Sequence, residues 1–140
     1  MNPKYSENRI LNFVAEQLGC SKDEVELNTD LVKDLGCYGD DLDEFIRVYS
    51  KEFQVEVSGY LWYFHAKEEG NSFGGAFFRP PNERVNRVVI TPALLFIGAN
   101  CGTWPITYPE HTLPKRRYDI LINQLLALLF IVFLVYKCSR

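Results

Sequence analysis

The chain has 140 residues, and with its apolar C-terminal stretch set aside about 118 remain, enough for one small domain with one core and too few for two. Asp and Glu outnumber Lys and Arg by 18 to 15, and residues 1–60 hold 13 of those acids against 6 of the bases, so the front of the chain is acidic and the remainder basic. An acidic front argues against nucleic acid, whose phosphates require the opposite charge, and favours a protein partner with a basic docking surface.

The first helix is predicted to begin near Ser6, with Ser6 as N-cap, and to stop at Gly19 after Leu18. Ile10, Val14 and Leu18 recur every fourth residue with Leu11 beside them, giving one apolar stripe that faces a core. Val25, Leu27, Leu31 and Leu35 follow, interrupted by Asn28, Asp30, Gly36 and Gly39; this pattern predicts a long connection that tucks aliphatic side chains inward. A second helix is marked by Leu42, Phe45, Ile46, Tyr49 and Phe53, spaced as one buried face. Its start carries a capping-box spacing from Asp41 to Glu44, and Asp40, Asp41, Asp43 and Glu44 place negative charge at the positive end of the helix dipole.

Residues 60–64 are aromatic-rich and suit a short helix or a packed turn, whereas residues 66–87, with Gly70, Gly74, Gly75, Pro80 and Pro81, suggest an exposed loop with Phe73, Phe77 and Phe78 folded against the domain. Thr91 as N-cap and Pro92 at the first position open a last soluble helix that carries Leu94, Leu95, Phe96 and Ile97 inward and ends by Gly102. Pro105, Pro109 and Pro114 then predict an extended stalk over residues 103–118.

Residues 120–136 contain only Asn123 and Gln124 as polar side chains before Tyr136, a 17-residue segment. As a helix it is about 26 Å long against a hydrocarbon core of about 30 Å, a shortfall that local thinning and snorkelling of Lys137 and Arg140 absorb. Residues 119–137 are therefore expected to be a single transmembrane anchor. Residues 1–18 carry Lys4, Glu7, Arg9 and Glu16 and do not resemble a signal peptide, so the preceding domain is expected to stay cytoplasmic. Lys115, Arg116 and Arg117 flank the span on that side and Lys137 on the other, and the three basic residues before the helix suit anionic lipid. Cys20, Cys37, Cys101 and Cys138 show no paired spacing, which in a reducing cytoplasm leaves them as free thiols.

The order of helix, long loop, acidic helix, short connection and last helix resembles an acyl carrier protein. Glu16-Gln17-Leu18-Gly19, Val25, Asn28 and Val32-Lys33-Asp34-Leu35-Gly36 are similar to that family's first helix and loop. Asp40-Asp41-Leu42-Asp43 looks like its Asp-Ser-Leu-Asp motif, and Glu52-Phe53 resembles the end of its second helix. Thr91-Pro92 and Gly102-Thr103-Trp104 resemble a group of acyl-carrier-like proteins of unknown function from enteric bacteria. The resemblance implies an all-α fold: a small acyl-carrier-like bundle over residues 1–102 with a loop insertion at 66–90, followed by the stalk and the membrane helix.

In that family a serine carries phosphopantetheine, and Asp41 stands at the matching position. A carboxylate cannot form that phosphodiester, so no cofactor is expected. Ser50, nine residues downstream in the same helix, leaves modification at a non-standard position as an alternative. The resemblance further implies that Asp40, Asp41, Asp43 and Glu44 form an acidic handle for a basic partner. His65 and His111 lack spaced ligand partners, the glycines at 70–75 lack a phosphate-loop ending, and no nucleophile elbow occurs, so neither a metal nor an enzyme is expected. The expected function is a membrane-anchored protein-interaction module at the bacterial inner membrane. The alternative from another class is a small membrane effector or immunity-type protein in which Asn123 and Gln124 associate helices.

Overall fold

The computed structural model describes residues 3–68 and 73–139; Gly70 and the snorkelling expected of Arg140 lie outside the described residues. Four α-helices follow in order: α1 (Glu7–Leu18), α2 (Gly39–Phe53), α3 (Pro92–Cys101) and α4 (Tyr118–Cys138), with short 3-10 turns between them and no strand among the described residues. The first three surround one core.

Local chemistry sets the ends of these helices. Ser6 is extended and its hydroxyl accepts from the Arg9 N–H at 3.3 Å, while Gly19 closes α1 in the left-handed region at φ 65°. Thr91 caps α3 by accepting from the Leu94 N–H at 3.3 Å, Pro92 fills the first turn, and Gly102 ends it at φ 75°. Both helices thus start and stop where their cap residues predict. The beginning of α2 differs. Tyr38 is the N-cap and the helix starts at Gly39, so Asp41 lies in the third helical position and the expected capping box is not formed. A capping box does form at Ser21 and Glu24, around the 3-10 turn Lys22–Glu24.

Leu42, Phe45, Ile46, Tyr49 and Phe53 are all buried and pack on Ile10, Phe13 and Val14 of α1. Phe13 meets Phe53 edge-on at 5.0 Å between ring centres and Phe45 at 5.5 Å, adding directional aromatic contact to the apolar burial. α3 closes the core with Leu95 and Ala99 buried and Leu94 and Phe96 partly so, but Ile97 is half exposed and does not point inward as expected. At Gly98 a Cβ would come within 2.7 Å of the Tyr49 hydroxyl, which donates to the Leu95 carbonyl at 2.6 Å; only glycine lets α3 approach α2 this closely. In the connection between α1 and α2, Val25, Leu31 and Val32 are buried, as the tucked-loop reading expects.

Two segments expected to be loose are tied down. The described residues of 66–87, expected as an exposed loop, are partly packed against the domain, as are those that follow. Ala66, Pro80, Pro81 and Ile90 are buried, the Val88 N–H donates to the Phe64 carbonyl at 2.6 Å, and the Leu31 N–H donates to the Ile90 carbonyl at 3.1 Å. Arg87 bolts this segment to the α1–α2 connection, donating to Asp30 Oδ1 at 2.5 Å and to the His65 carbonyl at 3.0 Å. Burial favours the neutral acid at Asp30, but Arg87 and the Val32 and Lys33 N–H groups outweigh it and hold the carboxyl below the usual range. Phe73 and Phe77, however, are 75% and 78% exposed and are not folded against the domain. The segment after α3 is free of helix, yet it does not leave the domain at once. Thr103 bridges Glu56, Trp104 is buried, and Tyr108 is packed against the core.

α4 is a different kind of helix. It is 21 residues long, apolar on all sides, and almost none of it is buried against the rest of the chain. Residues 125–136 are all exposed, so α4 is not a core helix of this domain. Its length and composition are compatible with a single crossing of a membrane.

Candidate functional site

The four acids at the start of α2 are all exposed, but the helix divides them between two depressions. Asp40 and Asp43, three residues apart, edge a cavity of about 350 Å³ lined also by Tyr60, Trp62, Lys67 and Glu68. Asp41 and Glu44 border a second depression of about 260 Å³, between the end of α1 and Cys37. Glu44 is paired with Arg47 one turn along. Among the described residues no ion pair forms at Asp40, Asp41 or Asp43. Glu52, at the far end of α2, is paired with Arg9.

The Asp40–Asp43 cavity has the more specific chemistry. Partial burial, and then the negative charge of Asp40, raise Asp43 above the usual carboxylate range, so this pair gains when a cation arrives. Tyr60 lines the cavity, and its hydroxyl is buried with no hydrogen-bond partner among the described residues. Two carboxylates and the aromatic side chains of Tyr60 and Trp62 together suit a guanidinium or ammonium group, which donates to oxygen and stacks on aromatic faces. Glu68, on the same rim, is held by two bonds from Arg117, at 2.7 and 2.8 Å, and Arg117 also grips Asp119 in the first turn of α4. The cavity is therefore one ion pair away from the start of the apolar helix.

Asp41 is exposed and, as a carboxylate, has no hydroxyl to offer. Cys37 nearby is buried, and its thiol is pushed up to about 12 by burial and then by Asp41, which removes it as a nucleophile. All four cysteines are free. Among the described residues no three His, Cys, Asp or Glu side chains come together to hold a metal. Of the basic residues expected to flank a membrane, Lys115, Arg116 and Lys137 are exposed, whereas Arg117 is committed to Glu68 and Asp119.

Sequence reasoning missed the polar centre behind the cavity. His65 is fully buried, stacked on Tyr60 at 5.3 Å, with Nδ1 2.8 Å from the Val88 carbonyl and Nε2 2.6 Å from the Tyr108 hydroxyl. Val88 offers only an acceptor, so Nδ1 carries the proton and Nε2 accepts from Tyr108. The Tyr108 oxygen in turn accepts from Trp104 Nε1–H at 2.9 Å and from the Leu61 N–H at 3.3 Å. The imidazole is neutral: burial, helped by Arg87, lowers its pKa to about 4 against the Val88 bond.

This gives a signed pH dependence. The unfolded state binds a proton on His65 below about pH 6.5 and the folded state does not until about pH 4, so stability is full above pH 6.5 and falls through that window. The loss should reach about 3 kcal/mol. Urea unfolding between pH 7.5 and pH 4.5 measures it; His65→Asn, which keeps a donor for Val88, should be less stable at pH 7.5 but lose the slope between pH 6.5 and 5. An unchanged slope in that variant would assign the effect to carboxylates.

Together these features define a small helical domain followed by a long apolar C-terminal helix. Residues 4–105 match the model of the family described as "Protein of unknown function (DUF1493)", and the chain belongs to that family. Over 50 residues the chain is 40% identical to an acyl carrier protein of Trieres chinensis, a match spanning 36% of this chain and 62% of that protein. The similarity therefore covers less than two thirds of that relative. No solved structure matches the chain.

Proposed function

We propose that this protein is an acyl-carrier-like adaptor without a prosthetic group, anchored by α4 in the bacterial inner membrane with its domain on the cytoplasmic side. Its role is to capture a protein that presents a basic side chain close to the membrane surface. The observation that carries this reading is the cavity of Asp40, Asp43, Tyr60 and Trp62, with two carboxylates that form no ion pair among the described residues and a rim residue, Glu68, tied through Arg117 to the first turn of α4. A structural cap explains one acid at a helix start; it does not explain two acids that edge one cavity walled by Tyr60 and Trp62. Asp41 supports the absence of phosphopantetheine. The alternative that α4 itself is the effector loses support from Asn123, whose side-chain oxygen accepts from the Gly74 N–H within the chain.

The test is capture by full-length protein in native membranes, with Asp40→Lys and Asp43→Lys combined. Recovery of the specific partner should fall at least about tenfold, the scale of one lost charge pair, while circular dichroism shows the same helix content. Undiminished capture by the charge-reversed protein would overturn the docking reading. Intact mass of the same bait after co-expression with a phosphopantetheinyl transferase should equal the unmodified chain, and an added prosthetic group would restore the carrier reading.

A further inference from the structure

The segment 73–78 makes its contacts with α4, and it makes them at the point where the apolar helix begins. Its 3-10 turn, Gly74–Ala76, lies directly against the first turn of α4: a Cβ at Gly74 would collide with the Asp119 carbonyl, so glycine is required for this approach. The Gly74 N–H donates to Asn123 Oδ1 at 2.8 Å. That bond ties a backbone donor of the turn to a polar side chain of α4. Phe78 packs on Tyr118 with ring centres 5.5 Å apart. On the neighbouring side Arg117 joins Glu68 to Asp119, whose carboxylate is only 3% exposed. The turn is thus fixed to the helix at three residues, 118, 119 and 123.

Fixed in this way, the turn holds two aromatic side chains away from the domain. Phe73 and Phe77 are 75% and 78% exposed, the largest exposures among the described aromatic residues. A small domain with a well-filled core gains nothing by placing two phenylalanines in water, and exposed apolar clusters of this kind mark contact surfaces. What covers them follows from continuity, since the apolar surface of α4 begins beside them with Ile120 and Leu121, both exposed. The charges agree: Arg79, Arg84, Lys115 and Arg116 are exposed around the same level and match anionic headgroups.

We propose that residues 73–78 form a membrane-interfacial wedge, with Phe73 and Phe77 seated in the headgroup region of the bilayer that α4 crosses. The proposal rests on the anchor reading of α4. A single crossing helix leaves its domain free to rotate and tilt on the surface; a second contact, clamped to the helix, fixes which face of the domain looks along the membrane. The cavity of Asp40 and Asp43 shares its rim residue Glu68 with this clamp, so the wedge also sets the height and direction in which that cavity is presented.

The test places the photo-cross-linking residue p-benzoylphenylalanine at one of three positions in the full-length protein, in vesicles of phosphatidylcholine and phosphatidylglycerol, and quantifies lipid adducts by mass spectrometry. Position 77 probes the wedge and position 130, in the middle of α4, probes the anchor. Position 51 is the control, exposed near the far end of α2 and about 16 Å along it from Asp40. The expected result is lipid adduct at 130 and, at 77, a yield roughly tenfold or more above that at 51. Adduct at 130 with no excess at 77 overturns the wedge and leaves the anchor standing, as does a protein–protein adduct at 77, which would make a second copy the occupant. Absence of lipid adduct at 130 overturns the anchor reading and the wedge with it.

Discussion

Tyr108→Phe should lower the unfolding free energy by about 4 kcal/mol, although it removes one oxygen atom and leaves the ring in place. The cost arises from what that oxygen holds. It accepts from Trp104 Nε1–H and the Leu61 N–H and gives its own proton to His65 Nε2, so its loss strands two donors and one acceptor. His65 cannot compensate by changing tautomer, because Nδ1 must donate to the Val88 carbonyl. Each stranded buried group costs about 1–3 kcal/mol, and the weakest of the three, the 3.3 Å bond from Leu61, lies at the edge where water reaches. Urea unfolding monitored by tryptophan fluorescence reads both the loss and the changed environment of Trp104. A loss below about 1 kcal/mol would mean that the three groups are solvated in the native state.

The same residues explain what a reader of the sequence could and could not see. The ends of α1 and α3 were legible because their signals are local: a hydroxyl before the first turn, a proline at its start, a glycine after its last residue. The buried face of α2 was legible because five apolar residues keep helical spacing. Tyr38 carried no such signal, since it caps α2 without a side-chain hydrogen bond, and the acids behind it imitated a capping box one turn too late. The His65 centre joins residues 43 positions apart through side chains with no periodicity, and nothing short of the fold brings Tyr108 to His65. This is why the proline-bearing segment looked like a stalk. Its prolines do exclude helix, but Trp104 just before the first of them belongs to the core, and Tyr108 between the first two packs against it.

The division of the acids was present in the sequence and needed only geometry. Residues 40 and 43 share one side of a helix and residues 41 and 44 lie about 100° further round, so four consecutive-looking charges form two pairs facing different neighbours. What the sequence lacked was the identity of those neighbours. Tyr60, Trp62, Lys67 and Glu68 come from a connection whose course depends on Arg87, Asp30 and the buried Pro80 and Pro81. An acidic helix start becomes a selective cavity only when an aromatic wall is brought to it.

Leu129→Arg combined with Phe133→Arg should release the protein from the membrane. The two positions lie four residues apart on one face of α4, within its apolar stretch, and both are more than half exposed. An arginine near the centre of a crossing helix costs about 3 kcal/mol and one nearer its end less, so the pair costs about 4 kcal/mol, a large part of the insertion free energy of a span as short as this one. Snorkelling offers little relief at position 129, about 11 Å from the nearer end of the apolar stretch, and more at position 133, about 5 Å from it. The measurement is resistance to alkaline extraction of membranes, with Leu129→Ala and Phe133→Ala as the paired control. The alanine pair removes apolar area without adding charge and should remain resistant. If the arginine pair stays in the extracted membrane, α4 does not cross the bilayer. Its exposed apolar surface must then be covered by another protein, which would move the search for a partner from the acidic cavity to α4 itself.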